Sequence, residues 1–88
     1  MQLSRLFEEP EVRQVVEQAQ REAKIKLDRL TPKQRLVLAM MVEGHPNKII
    51  AYEHGLSQRS IENHRAAIMK RLGVKSFAAL VRLFVLAG

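Results

Sequence analysis

Arg59, Glu62, Asn63, Ala66 and Lys70 are spaced so that a helix through them gathers them on one side. At 100° per residue, with Ile61 set to zero, Arg59, Asn63, Ala66 and Lys70 point the opposite way and Glu62 lies at the edge. Ile68, Leu72 and His64 fall within about 60° of Ile61 and form the inward side. The outward side thus joins a guanidinium, an amide, a carboxylate and a methyl group. Those groups match base edges in a major groove: Arg59 could bond guanine, Asn63 adenine, and Glu62 a cytosine amino group. Ala66 permits close approach or contact with a thymine methyl. Asn47 and Lys48 open the preceding helical segment, and a helix start with a Lys suits a phosphate. Ser60, Lys70 and Lys75 could hold neighbouring phosphates. Arg65 lies at the boundary of the inward side, where it could touch a phosphate or pair with Glu62.

Other chemistries find no support. His45, His54 and His64 have no Cys, no close paired carboxylates and no ligand spacing, so no metal and no cofactor is expected. Ser57 and Ser60 lack an Asp partner, and no Gly-rich phosphate loop or nucleophile–base–orienter set exists, so the chain does not read as an enzyme. No small-molecule ligand is evident. The one Asp, Asp28, cannot build a phospho-accepting carboxylate cluster.

The charge supports a polyanionic partner. The chain carries 15 Lys and Arg against 9 Asp and Glu, for a net charge of +6. Residues 1–30 balance six cations with six anions, so the whole excess lies in residues 31–88. A basic unit of that size expects a nucleic acid or an acidic partner. With 88 residues the chain makes one small domain. The absence of Cys excludes a disulfide scaffold and fits an intracellular, cytoplasmic setting. The start, MQLSRLFEEP, has no signal-peptide core. The longest nearly apolar run, Phe77 to Ala87, is 11 residues and contains Arg82, against the roughly 20 needed to cross a membrane.

These side chains need helices to position them, and Pro and Gly punctuate the chain accordingly. Pro10, Pro32 and Pro46 sit where helices begin, while Gly44, Gly55, Gly73 and Gly88 follow helical patterns. Five helices are expected. The first runs from Pro10 to Leu30, acidic in its first turn and basic in its last. Its thin stripe is Val12, Val16, Ala19, Ala23, Lys26 and Leu30, which fits a short coiled-coil seam or an amphipathic linker. The second starts in a capping box of Thr31 and Gln34 and contains the apolar run Leu36–Val42. The third is Asn47–His54, with Ile49, Ile50 and Ala51 facing in. Ser57 caps a fourth helix ending at Leu72, and Ser76 caps a fifth over Phe77–Ala87. Nothing alternates with period two, so no sheet is expected. Helices three and four, joined by Gly55-Leu56-Ser57, form a helix-turn-helix.

The runs L30-T-P-K-Q-R-L-V-L, E43-G, N47-K-I-I-A, L56-S-Q-R-S-I-E-N-H-R and I68-M-K-R-L-G-V-K-S resemble the LuxR/FixJ-type helix-turn-helix family. The resemblance covers Leu30 to about Gly88. It implies an all-α, four-helix DNA-binding domain over 30–88, preceded here by an amphipathic N-terminal helix or linker over 1–29. It implies that the third family helix enters the major groove and the fourth serves dimerisation. It places the family's base-reading positions at Glu62, Asn63 and Ala66, in agreement with the helical angles, and makes His64 a hydrogen-bonded residue near the inner face. Gln34 stands where the family usually has Glu, so an ion pair of many members is absent. His54 stands where the family usually has Leu, which puts a polar group at the hinge. The family's usual receiver domain is not among these 88 residues.

The fifth helix is apolar all round and must be covered all round. Phe77, Leu80, Val81 and Phe84 are assigned to the domain's own core. Ala79, Leu83 and Leu86, with Arg82 beside them, are left over and read as an isologous dimer interface. The alternative is that the first helix folds back and covers them. The function expected is a sequence-specific transcriptional regulator acting as a homodimer. Its partners would be double-stranded DNA, a second copy and RNA polymerase, with no membrane, and it would be nucleoid-associated when bound. Two competitors remain. One is a protein-interaction module that pairs with another regulator. The other is a promoter reader like region 4 of a sigma factor, against which the fifth helix stands.

Overall fold

The computed structural model describes Arg5 and residues 8–88. The leader reading of the first residues lies largely outside the described residues. The main elements are five helices: α1 Pro10–Asp28, α2 Pro32–Val42, α3 Asn47–His54, α4 Gln58–Leu72 and α5 Phe77–Ala87. No strand occurs among the described residues. The expected helix boundaries agree closely, except that α1 ends at Asp28, two residues early.

Local chemistry explains the boundaries. Thr31 accepts from the Gln34 amide at 3.1 Å, and Gln34 Oε1 accepts from the Thr31 amide at 3.0 Å, which closes the capping box in front of α2. Ser57 accepts from the Ser60 amide and Ser76 from the Ala79 amide, capping α4 and α5. Each such cap is worth ~1 kcal/mol. The turn between α3 and α4 needs a left-handed residue, and Gly55 supplies it at φ 63°. The Leu56 amide then donates to the Ala51 carbonyl at 2.8 Å, which folds the chain back towards α4.

One core runs through the domain: Leu30, Val37, Leu38, Met41, Ile50, Ala51, Ile61, Ile68, Leu72 and Leu80. Helix α4 packs against both α2 and α3, and this fixes the angle at which its outward face is shown. Within α3, Ile50 and Ala51 are buried, but Ile49 is 41% exposed, contrary to expectation. An eight-residue helix can turn only one side inward, and Ile49 lies a quarter turn or more from it.

The fifth helix differs most from expectation. Among the described helices, the most extensive contact is α1 against α5. Ala19, Glu22, Ala23 and Lys26 face Ala79, Arg82, Leu83 and Leu86 across a cavity of about 210 Å³. The stripe read as left over for a second chain is therefore covered by the chain's own first helix. Ala23 is fully buried, and its small side chain lets α5 approach. Leu83 and Phe84 pack on the core beside Leu80, whereas Phe77 is 44% exposed and Val81 half-buried. The inward direction of α5 is thus rotated from Phe77 towards Leu83. The cause is that two bodies cover this helix, the domain core and α1. What remains outside is a third stripe of Phe77, Ala78 and Val85, flanked by the half-buried Val81.

Candidate nucleic-acid interface

Helix α4 carries the expected reading face. Ile61, Ile68 and Leu72 are buried against the core, and this pins the helix's rotation. Arg59, Glu62, Asn63, Ala66 and Lys70 are all exposed on the other side. Among the described residues, no hydrogen bond or ion pair occupies the side chains of Arg59, Glu62, Asn63 or Lys70. Their polar atoms are therefore free to meet a ligand.

Two shallow grooves flank this face. One, of about 400 Å³, is lined by Gln34, Ser60, Asn63, His64 and Ala67. It brings together Asn63, expected to read a base, and Ser60, expected to hold a phosphate, and adds Gln34 from α2. The Ser57 hydroxyl donates to Ser60 Oγ at 3.0 Å, which leaves the Ser60 proton available for an outside acceptor such as a phosphate oxygen. His64 is half-buried and makes no hydrogen bond among the described residues, so the expected bond is not formed. Its place a step round from Asn63 leaves it at the groove wall and not in the core.

The other groove, of about 460 Å³, is lined by Met41, Gly44, His45, Pro46, Asn47, Arg65 and Phe77. It joins the start of α3 to the middle of α4. Asn47 and Arg65, proposed separately as phosphate contacts, share it. Lys48 stands exposed next to it. Arg65 forms no pair with Glu62; its guanidinium lies 6.0 Å from the centre of the Phe77 ring. That contact sets the cation over the outward-turned Phe77 ring at the groove. His45 Nε2 lies 3.0 Å from Glu43 Oε2, so the groove's imidazole is tied to the loop after α2. Lys75 is exposed in the connection between α4 and α5.

Sequence reasoning missed the parts of these grooves that come from other helices. Gln34 was recognised only as a cap, and Phe77 was assigned to the core. Ala67 could have been found, since it lies one turn beyond Asn63. Among the described residues no group of three or more His, Asp or Glu could hold a metal ion. No helix of the described residues is long and apolar enough to cross a membrane.

Residues 28–84 match the model of the bacterial regulatory proteins of the luxR family. This chain belongs to that family. It carries the family's helix-turn-helix DNA-binding segment, the type that forms the output domain of response regulators. Among its relatives, the transcriptional regulatory protein FixJ of Rhizobium meliloti is 41% identical over 63 residues, covering 72% of this chain and 31% of that protein. The FixJ protein of Azorhizobium caulinodans is 39% identical over 72 residues, covering 82% of this chain and 34% of the relative. The tetrathionate response regulatory protein TtrR of Salmonella typhimurium is 35% identical over 66 residues, covering 75% and 32%. The crystal structure of full-length FixJ from B. japonicum superposes with a TM-score of 0.78 at 34% identity, over 91% of this chain and 38% of that one. The chain thus spans about a third of the length of these relatives. The luxR-family assignment fits transcriptional regulators and not enzymes. The superposition reaches beyond the family segment, so most of α1 has a counterpart in that structure.

Proposed function

We propose that this luxR-family chain is a sequence-specific transcriptional regulator that binds as a homodimer and lays α4 in the major groove of a pseudo-palindromic site. The observation that carries this reading is the unpaired, exposed set Arg59, Glu62, Asn63 and Ala66 on a helix whose rotation is fixed by a buried opposite side. Base edges demand free donors and acceptors of this kind. The flanking grooves supply phosphate anchors: Asn47, Lys48 and Arg65 on one side, Ser60 on the other, with Lys70 and Lys75 beyond. The net +6 of residues 31–88 steers the domain to DNA.

One recognition helix reads only a few base pairs, and two copies about a two-fold axis read a half-site each, about one helical turn apart. We assign the contact between copies to α5. Ala79, Leu83 and Leu86 are engaged with α1, so the apolar surface that α5 has left is Phe77, Ala78, Val81 and Val85, with Arg82 at its edge. The setting of this activity is the bacterial cytoplasm, at the nucleoid.

The test is a binding titration against duplexes selected from a random-sequence library. Asn63→Ala should weaken the selected site roughly tenfold or more and relax preference at one base pair of each half-site. Lys48→Ala should weaken selected and random duplexes alike. If no sequence is enriched over bulk DNA, or if Asn63→Ala lowers both classes equally, the reading of α4 as a base-reading helix fails. A protein-interaction role would then be favoured.

A further inference from the structure

Helix α1 has a second face that lies exposed among the described residues, with only its Glu22 reaching the cavity shared with α5. Glu11, Val15, Gln18, Glu22, Ile25 and Arg29 follow one another at steps of four and three residues, the spacing of a coiled-coil seam. All six are exposed, with Val15 at 70% and Ile25 at 60%. This face lies about 90° around the helix from the Ala19–Ala23–Lys26 face that packs on α5, with Glu22 at the boundary between them. Both faces can therefore be occupied at once.

The order of residues on this face is symmetric about Gln20. Glu11 and Arg29 lie nine residues either side of it, Val15 and Ile25 five, and Gln18 and Glu22 two. The geometry points to an isologous, antiparallel pairing of α1 with α1 of a second copy. In that register Val15 meets the other copy's Ile25, Gln18 meets Glu22, and Glu11 meets Arg29, each twice by symmetry. Gln18 Nε2 already donates to Glu22 Oε1 of its own helix at 3.2 Å, and its second N–H is left for the carboxylate of the other chain. A parallel pairing would instead set Glu11 on Glu11, Glu22 on Glu22 and Arg29 on Arg29, placing like charges in half of the layers.

Charge beyond the seam favours the same arrangement. The acidic start of α1, with Glu8, Glu9 and Glu11, comes to lie against the basic end, with Lys24, Lys26 and Arg29. The two macrodipoles oppose each other, which is favourable. Residues 1–30 are neutral overall, so these helices approach without net repulsion, whereas the +6 of residues 31–88 repels a second copy. Each basic domain packs on its own α1 beside residues 19–26, so an antiparallel pair places the two domains on either side of Gln20. The pairing leaves α4 free on both copies. It adds a second contact between copies, separate from α5, and so can join two DNA-bound assemblies.

The chain lacks Cys, which makes the register directly testable by cross-linking the full chain without DNA. A V15C/I25C double variant should oxidise to a covalent dimer, and V15C mixed with I25C should form the mixed dimer. V15C alone should cross-link poorly, since the two positions would lie about 15 Å apart. In sedimentation equilibrium, Glu11→Arg or Arg29→Glu alone should weaken self-association roughly two- to thirty-fold, and the two changes together should restore it. Helical circular dichroism should stay unchanged throughout, because every altered side chain is exposed. Efficient cross-linking of V15C alone would overturn the antiparallel register. An association constant that neither single reversal changes, or the absence of any cross-link, would overturn the pairing itself.

Discussion

Arg71 near the end of α4 donates from a guanidinium nitrogen to Gln34 Oε1 in the first turn of α2 at 3.3 Å. The same oxygen accepts from the Thr31 amide in the capping box. One amide oxygen therefore both closes the start of α2 and ties it to the end of the recognition helix, 37 residues away in sequence. The link is a hydrogen bond from a charged donor to a neutral acceptor. Gln34→Glu should keep the box and convert the link to an ion pair. Because Arg71 is exposed, the gain should be modest, ~0.2–1 kcal/mol, and should fade in high salt. Gln34→Ala should lose both contacts and cost ~1 kcal/mol. Urea denaturation at two salt concentrations measures both. A gain for Gln34→Glu that does not depend on salt would mean that no ion pair forms.

His54 ends α3 at the helix-turn-helix hinge, and its Nε2 is buried without a partner among the described residues. An unsatisfied buried nitrogen costs ~1–3 kcal/mol. His54→Leu should remove that cost and add apolar burial, so stability should rise by ~1–2 kcal/mol. For a domain of this size that corresponds to an upward shift in melting temperature of roughly 4–15 °C. A melting temperature equal to or below that of the wild type would show that His54 holds a partner in solution.

Leu83 and Val85 separate the two sides of α5. Leu83 packs on the core beside α1, and Val85 is 67% exposed. Leu83→Glu should destabilise the fold by ~2–4 kcal/mol, because it removes an apolar side chain packed on the core and puts a carboxylate in its place. Val85→Glu should leave thermal stability within ~0.5 kcal/mol yet lower DNA affinity through the loss of the second copy. The two melting curves and one binding titration decide the matter. A stable, monomeric Leu83→Glu would return the dimer contact to the stripe of Ala79, Arg82, Leu83 and Leu86.

Salt should report the phosphate contacts. If a dimer neutralises ~6–10 phosphates through Lys48, Arg65, Lys70, Lys75 and the helix start at Asn47, log affinity should fall with log salt at a slope of roughly −5 to −9. Lys48→Ala should reduce the slope by roughly 2 per dimer. A slope near zero in a titration from low to physiological salt would exclude backbone contact on this scale.

The helices and the reading face of α4 were legible in the sequence because their causes are local. Thr31, Ser57 and Ser76 cap their own next turn, Gly55 turns the chain where only left-handed backbone serves, and Ile61, Ile68 and Leu72 point α4's other side outwards whatever they pack against. The partners of those faces were not legible. A helix apolar all round, such as Phe77–Ala87, has no single periodic stripe to say which side meets the core. Only the tertiary structure decided that Leu83 turns inward, that Phe77 turns out beneath Arg65, and that α1 lies over Ala79 and Leu86. The same holds for Gln34 and Arg71, whose spacing in the chain carries no signal of contact. Hydrophobic burial is non-directional: the sequence determined which surfaces must be removed from water, and the packing of whole helices determined what removes them.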